Sequence, residues 1–331
     1  MKKFFALVLA LVMALSLVAC GAKAPAADGS GDGAAPAPAK LRFVTGGESG
    51  TYYAFGSVIA QHATNNAGVD VVGLVGNGSQ SNVMELLDGN AELAFCQSDV
   101  MAYAYEGTNL FAEVGAIDCF STVAALYMEQ VQIVTLDPEI KTVADLAGKK
   151  VSIGAAGSGV YFNAIDILGA YGLTEDDIIP TYQSFGDSAN ALKDGQIDAA
   201  FIVSGAPTAA VTDLATTKDV YLVALDDEHV EKLLASSPYY AKNVISADTY
   251  ASLDGDVTTV AVGAVVLAAN TVSEDAVYAL CADIFNNAAD LVSSHAKYGE
   301  LSMEYGASIT SVPYHPGAAK YFAEKGFTVA G

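Results

Sequence analysis

Two serine–glycine turns carry most of the chemistry this chain can offer. Ser49-Gly50-Thr51-Tyr52-Tyr53 recurs as Ser158-Gly159-Val160-Tyr161-Phe162. Each copy follows a short apolar run rich in glycine, Phe43-Val44-Thr45-Gly46-Gly47 and Val151-Ser152-Ile153-Gly154-Ala155-Ala156-Gly157, and each opens a helix-patterned stretch. A second echo keeps the same order: Leu87-Asp88-Gly89-Asn90-Ala91-Glu92-Leu93, then Lys193-Asp194-Gly195-Gln196-Ile197-Asp198-Ala199. The chemistry expected of such a turn is anion binding. The first N–H groups of a helix have no intrahelical acceptor, and the helix dipole favours negative charge at that end. Two facing turns would clamp a small acid. Hydrogen bonds to a charged group contribute about 1.5–3 kcal/mol each, so two or three suffice without arginine. That condition matters here, because Arg42 is the only arginine and precedes the first glycine loop.

The candidate ligand-binding set follows from these turns. Ser49, Gly50 and Thr51 offer backbone and hydroxyl donors, although Ser49 also suits a helix cap. Ser158, Gly159 and Val160 are the equivalents in the second copy. Tyr52 and Tyr53 point about 100° apart on a helix; Tyr52 is assigned to the cleft and Tyr53 to packing. Asn77 and Ser79 follow the second strand, where capping and a cleft role are both open. Gln97 ends the third strand, and its amide both donates and accepts. Gly205 and Pro207 stand at the matching strand end of the second lobe, with Pro207 expected at helix position N1. Tyr127 either floors the cleft or packs beneath it.

Nothing in the sequence supports catalysis. Gly47-Glu48-Ser49-Gly50-Thr51 lacks the final glycine of a nucleophile elbow, and no Gly-Lys-Ser/Thr follows a glycine loop. His62, His229, His295 and His315 form no pattern with one another, and Tyr314-His315-Pro316-Gly317 reads as a turn. Cys96, Cys119 and Cys281 lack metal spacing and read as small core residues, with one disulfide as the alternative. No catalytic residue, metal or cofactor is expected. The formal charge of −23 argues against nucleic acid.

These residues need strands and helices to aim them. Leu41 to Thr45, Val69 to Val75 and Ala91 to Cys96 read as strands alternating with helices, as in a mostly parallel α/β sheet covered on both faces. Ser79 is a plausible N-cap and Gly89 a plausible C′ residue of the helix between them. Ala124 to Leu136 and Thr258 to Ala269 are long β-rich runs, taken as two crossover strands that form a hinge. Between them, strands near Lys150 to Gly154, Ile178 to Gln183, Ile197 to Val203 and Val220 to Leu225 build the second lobe. A long helix carrying Val277, Leu280, Cys281, Ile284, Phe285, Ala288 and Leu291 returns to the first. The expected organisation is therefore lobe 1 at 41–132 plus 258–331 and lobe 2 at 133–257, as a monomer. Ahead of them, Lys2 and Lys3 precede an apolar run to Ala19 that reads as a signal peptide, residues 1–19. Leu17-Val18-Ala19-Cys20-Gly21 resembles a lipoprotein lipobox, which implies lipidation at Cys20. Residues 20–40 are a Gly, Ala, Pro, Ser and Asp tether, so the membrane is met through the anchor only.

The order of motifs over nearly the whole chain resembles the TAXI family, solute-binding proteins of TRAP transporters. The matches include Gly46-Gly47 with Gly50-Thr51-Tyr52-Tyr53, Gly78-Ser79-Gln80-Ser81-Asn82 and Gln97-Ser98-Asp99. Further matches are Asp145-Leu146-Ala147-Gly148-Lys149, Gly157-Ser158-Gly159, Gly205-Ala206-Pro207 and His315-Pro316-Gly317-Ala318. The resemblance implies a two-lobed type II periplasmic-binding-protein fold and an extracytoplasmic, lipid-anchored location. It implies capture of a small organic anion, glutamate- or glutamine-like or a dicarboxylate, and handover to an ion-gradient-driven TRAP permease. Val160 departs from the threonine usual at that position. The alternatives are a binding protein of an ABC importer, a lipid-anchored serine hydrolase, or a sensor that reports ligand occupancy.

Overall fold

The computed structural model describes residues 40–331; the segments expected to be a signal peptide and a tether, with Cys20, lie outside the described residues. The architecture is one continuous mixed sheet in the order β2-β1-β3-β10-β4-β7-β5-β6, flanked by helices. The first lobe opens with β1 (Leu41–Val44), β2 (Val71–Leu74) and β3 (Leu93–Gln97), with β1 parallel to both others. Helix α1 (Thr51–His62) joins the first two and α2 (Ser79–Leu87) the next two; α3 (Ser98–Glu106) follows β3 without a gap.

Two long strands then cross the molecule. β4 (Phe120–Thr135) and β10 (Val257–Ala269) pair antiparallel from Ala261 opposite Gln130 to Ala269 opposite Phe120. Because each returns from the other lobe, it runs against its neighbours. β3 pairs antiparallel with β10, and β7 (Ala199–Ser204) with β4. Parallel pairing is kept at the outer strands, where β5 (Lys150–Ser152) lies between β6 (Ile179–Thr181) and β7. Two short strands, β8 (Tyr221–Leu222) and β9 (Ala241–Ile245), pair with β4 and β10. In the second lobe α4 (Val160–Ala170) follows β5, α5 (Phe185–Lys193) follows β6, α6 (Ala209–Ala215) follows β7, and α7 (Asp227–Ser236) lies between β8 and β9.

The apolar core divides along the crossover strands. Leu126 and Tyr127 of β4 and Ala264 to Ala269 of β10 pack into the first-lobe cluster. Val131 and Ile133 of β4, with Val260 and Val262 of β10, pack into a second-lobe cluster. Register shifts between β4 and β10 fall at Ala264/Val265 and Val266/Leu267.

The expected long helix after β10 is two: α8 (Glu274–Asn286) and a single turn, α9 (Ala288–Leu291). Asn287, at φ −104 and ψ 4, leaves the helical region and separates them. A short helix α10 (Met303–Gly306) and α11 (Pro316–Glu324) complete the first lobe. His315 is structural: its Nδ1 accepts from Gly317 N, and its Nε2 lies 3.0 Å from Val272 O. Cys96, Cys119 and Cys281 are free thiols.

Candidate functional site

The chain leaves β1, β2 and β5 through glycine-rich turns, and the helices that follow start at one place. A cavity of about 300 Å³ lies between the lobes, lined by the turns ahead of α1, α2 and α4. With Gln183, Ser184 and Phe185 at the start of α5, four helix N-termini thus face one space, which gathers first-turn N–H groups and the positive ends of four dipoles. Two of the first-turn donors are used within the protein: Thr51 N–H is 3.3 Å from Ser204 Oγ, and Ser81 N–H is 2.8 Å from Gly157 O.

Ser49, Gly50, Thr51 and Tyr52 line the cavity from the first turn, and Asn77 and Ser79 from the second. Gln97 borders it from the end of β3, and Ser158, Gly159 and Val160 from the opposite lobe. Three expected residues are placed elsewhere. Tyr127 is buried beneath the site, with Lys297 Nζ 5.3 Å from its ring centre. Gly205 is buried against the same lysine and tyrosine, and its carbonyl accepts from Thr51 Oγ at 3.0 Å. Pro207 is exposed and stands before α6, whose N-cap is Thr208, so it is not at N1. Four residues, Gly205 to Thr208, lie between the end of β7 and the first residue of α6, so the helix starts two residues after Pro207.

Two expected caps also shift. Gly78, not Ser79, is the N-cap of α2, because its φ of +106 lets the chain enter the helix one residue early. This frees Ser79 Oγ to accept from Gln97 N at 3.0 Å. Gly50, not Ser49, caps α1. Ser49 instead receives Ala210 N–H at its carbonyl from across the cleft, at 3.2 Å.

The lobes meet closely around this cavity. A Cβ at Gly159 would lie 1.4 Å from Gln97 Oε1, so only glycine admits this approach. Gln97 Nε2 donates to Asn163 Oδ1 at 2.8 Å, and Asn163 Nδ2 donates to Asp99 Oδ2 and approaches Tyr240 Oη, both at 2.9 Å. Phe162 of α4 packs into the first-lobe cluster, beside Tyr103 and Phe111. These contacts describe lobes drawn together.

Ser158 N–H, expected to face the ligand, is given to Ala155 O at 3.0 Å. Ser158 itself lines the cavity, and its Oγ is buried without a protein partner.

Sequence reasoning missed Glu129. It lines the cavity from β4, is 2% exposed, and accepts from Tyr52 Oη at 2.6 Å. Burial lifts its carboxyl from the ordinary 4.5 to about 8, against the Tyr52 hydrogen bond. Asp99 is raised to about 7, again by burial first. The signal for Glu129 was present: it is the one acid in the apolar run from Ala124 to Leu136. Asn163 and Phe185 gave no such signal, since only the lobe approach brings them to the site.

None of the four histidines lines the cavity. Among the described residues no cluster of His, Cys, Asp or Glu is arranged to hold a metal, and no helix is long and apolar enough to cross a membrane.

Two α/β lobes joined by a pair of crossover strands, with a cleft at the strand ends between them, define the type II periplasmic-binding-protein fold. The sequence matches the NMT1-like family over residues 43–326, and the chain belongs to that family. Solved structures share the fold at low identity. One from Bordetella bronchiseptica RB50 has a TM-score of 0.52 at 18% identity, covering 86% of this chain and 88% of that one. The alkanesulfonate-binding protein SsuA from Xanthomonas axonopodis pv. citri, bound to MOPS, gives 0.48 at 16%, over 87% and 85%. The GluR0 ligand-binding core with L-glutamate gives 0.47 at 9%, over 80% and 98%.

Proposed function

We propose that this chain is an extracytoplasmic solute-binding lipoprotein that captures a small organic anion between its lobes and delivers it to a membrane permease. The observation that carries this reading is the convergence of four helix N-termini on one cavity, with Ser158, whose buried hydroxyl has no protein partner, among the lining residues. Such a site holds a carboxylate through neutral donors. The hinge lies where β4 and β10 pass from one core cluster to the other, between Tyr127 and Val131 and between Val262 and Ala264. Ligand favours the closed form because only there do both turns reach it.

The motif resemblance to TAXI proteins favours an ion-gradient-driven TRAP permease as the recipient. Delivery to an ABC importer is the alternative within the same class. Uptake in vesicles driven by an ion gradient supports the first, and uptake that requires ATP supports the second.

The binding reading is tested by a thermal-shift panel of dicarboxylates, keto acids and amino acids. A ligand at a hundred times its Kd adds about 2.7 kcal/mol of stability. Ser158→Ala is expected to lower affinity several-fold while leaving the unliganded protein as stable as before, since it removes a buried hydroxyl that lacks a partner. No shift with any acid refutes the anion site.

A further inference from the structure

The cavity has an anion-attracting rim and, beneath it, a carboxyl. Glu129 Oε2 is occupied by the Tyr52 hydroxyl, and the residue borders the cavity. No cation neutralises it. Lys297, the nearest, gives its ammonium to Glu300 Oε1 at 2.5 Å and Ala206 O at 3.3 Å. We propose that Glu129 binds ligand as a neutral carboxyl, donating a hydrogen bond to an acceptor oxygen of the bound anion, so that ligand capture holds a proton on the protein. This rests on the reading of the cleft as an anion site and deepens it. The preferred ligand then carries two acceptor groups, one for the helix N-termini and one for Glu129, as a dicarboxylate or keto acid does.

The surroundings agree on the neutral form. Tyr52 of α1 faces the carboxyl directly, and Tyr127 lies on its own strand. Asp99 of α3 opposes ionisation and Lys297 favours it. Half-buried Tyr305 of α10 and buried Cys96 of β3 complete the titratable neighbours, and desolvation holds both neutral. Desolvation outweighs the lysine, and the carboxyl is raised to about 8. An ammonium-bearing ligand meets the opposite arrangement. It needs Glu129 ionised in its buried setting, and it enters a space where four helix dipoles present their positive ends.

The test is calorimetric titration of the full chain with 2-oxoglutarate, succinate and L-glutamate between about pH 6 and about pH 9.5, in two buffers of different ionisation enthalpy. Free carboxylates are fully ionised throughout this range. Above the Glu129 midpoint the competent fraction falls roughly tenfold per pH unit, and Kd should rise with it. Glu129→Gln keeps a donor but does not titrate; it is expected to bind more weakly near pH 6 and to show a flat profile above pH 8. Asp99 is unchanged in that variant, so any slope common to both proteins belongs to Asp99. The wild-type profile and its buffer-dependent enthalpy need no substitution, so misfolding of the variant does not obscure the result. If an acid binds with a Kd independent of pH, or more tightly as pH rises, or with the same profile in Glu129→Gln, the role of Glu129 is overturned and the anion site stands. If none of the three acids binds, both fall together.

Discussion

Gly159 is where a single methyl group would decide whether the lobes can meet. Its φ of −72 is open to any residue, so alanine brings no backbone strain. The conflict is steric: a Cβ would lie 1.4 Å from Gln97 Oε1 and 2.9 Å from Ser79 Oγ. Both belong to the other lobe, and Gln97 cannot swing aside without releasing Asn163. The clash therefore exists only when the lobes are together. Gly159→Ala is expected to leave the unfolding midpoint within about 0.5 kcal/mol of wild type. It should weaken ligand binding at least tenfold in calorimetry. Affinity equal to wild type would mean that closure does not bring these residues into contact. At this scale the sequence was partly legible. The serine–glycine turns announced their helix starts because the signal is local. Glu129 was marked locally, as the one acid in an apolar run, but Asn163 acts through partners many residues away and does not stand out from its own neighbours.

Helix α4 shows why elements were easier to place than the surfaces they cover. Its position after β5 follows from the glycine-rich turn, and Ala164, Ile167 and Leu168 bury one face in the second-lobe cluster. Phe162, on the same helix, packs into the cluster of the other lobe. Periodicity alone cannot assign one face of a helix to its own core and a single residue to a facing core. The ring of Phe162 lies 5.7 Å from that of Tyr103 and 6.5 Å from that of Phe111. Deleting a buried phenylalanine from a permanent core costs about 3–5 kcal/mol. A contact made only in the closed form should behave differently, because the open form never had it. Phe162→Ala is therefore expected to cost well under that in denaturant unfolding of the unliganded protein, yet to lower ligand affinity about tenfold or more. Small-angle scattering should show the variant more extended at subsaturating ligand. A full core-sized loss of stability with unchanged affinity would place Phe162 in a core that never opens.

Across the whole molecule, two buried carboxyls near the hinge tie folding to pH in an unusual direction. Asp99 is raised from 3.8 to about 7 and Glu129 from 4.5 to about 8. The native state therefore keeps protons that the unfolded chain has already released. Stability changes with pH in proportion to the difference in bound protons, unfolded minus native. That difference is negative for these groups between roughly pH 4 and pH 8, so their contribution is full at low pH and is lost as pH rises through the native values. The formal charge of −23 adds self-repulsion, but ordinary carboxylates have finished ionising by about pH 6. His295 and His315, lowered from 6.5 by burial, give a slope of opposite sign only up to that value, so from about pH 7 to pH 9 the slope belongs mainly to the buried pair. The denaturant midpoint is expected to fall across that interval in the wild type and to fall much less in Asp99→Asn/Glu129→Gln. Asp99 also accepts the Asn163 hydrogen bond across the cleft, so its ionisation strengthens one latch while its burial opposes the charge. Ligand that holds the lobes together should keep Glu129 protonated to higher pH, and the midpoint of the liganded protein should then decline later than that of the free one. A midpoint that rises from pH 7 to pH 9 would show both carboxyls ionised in the native state.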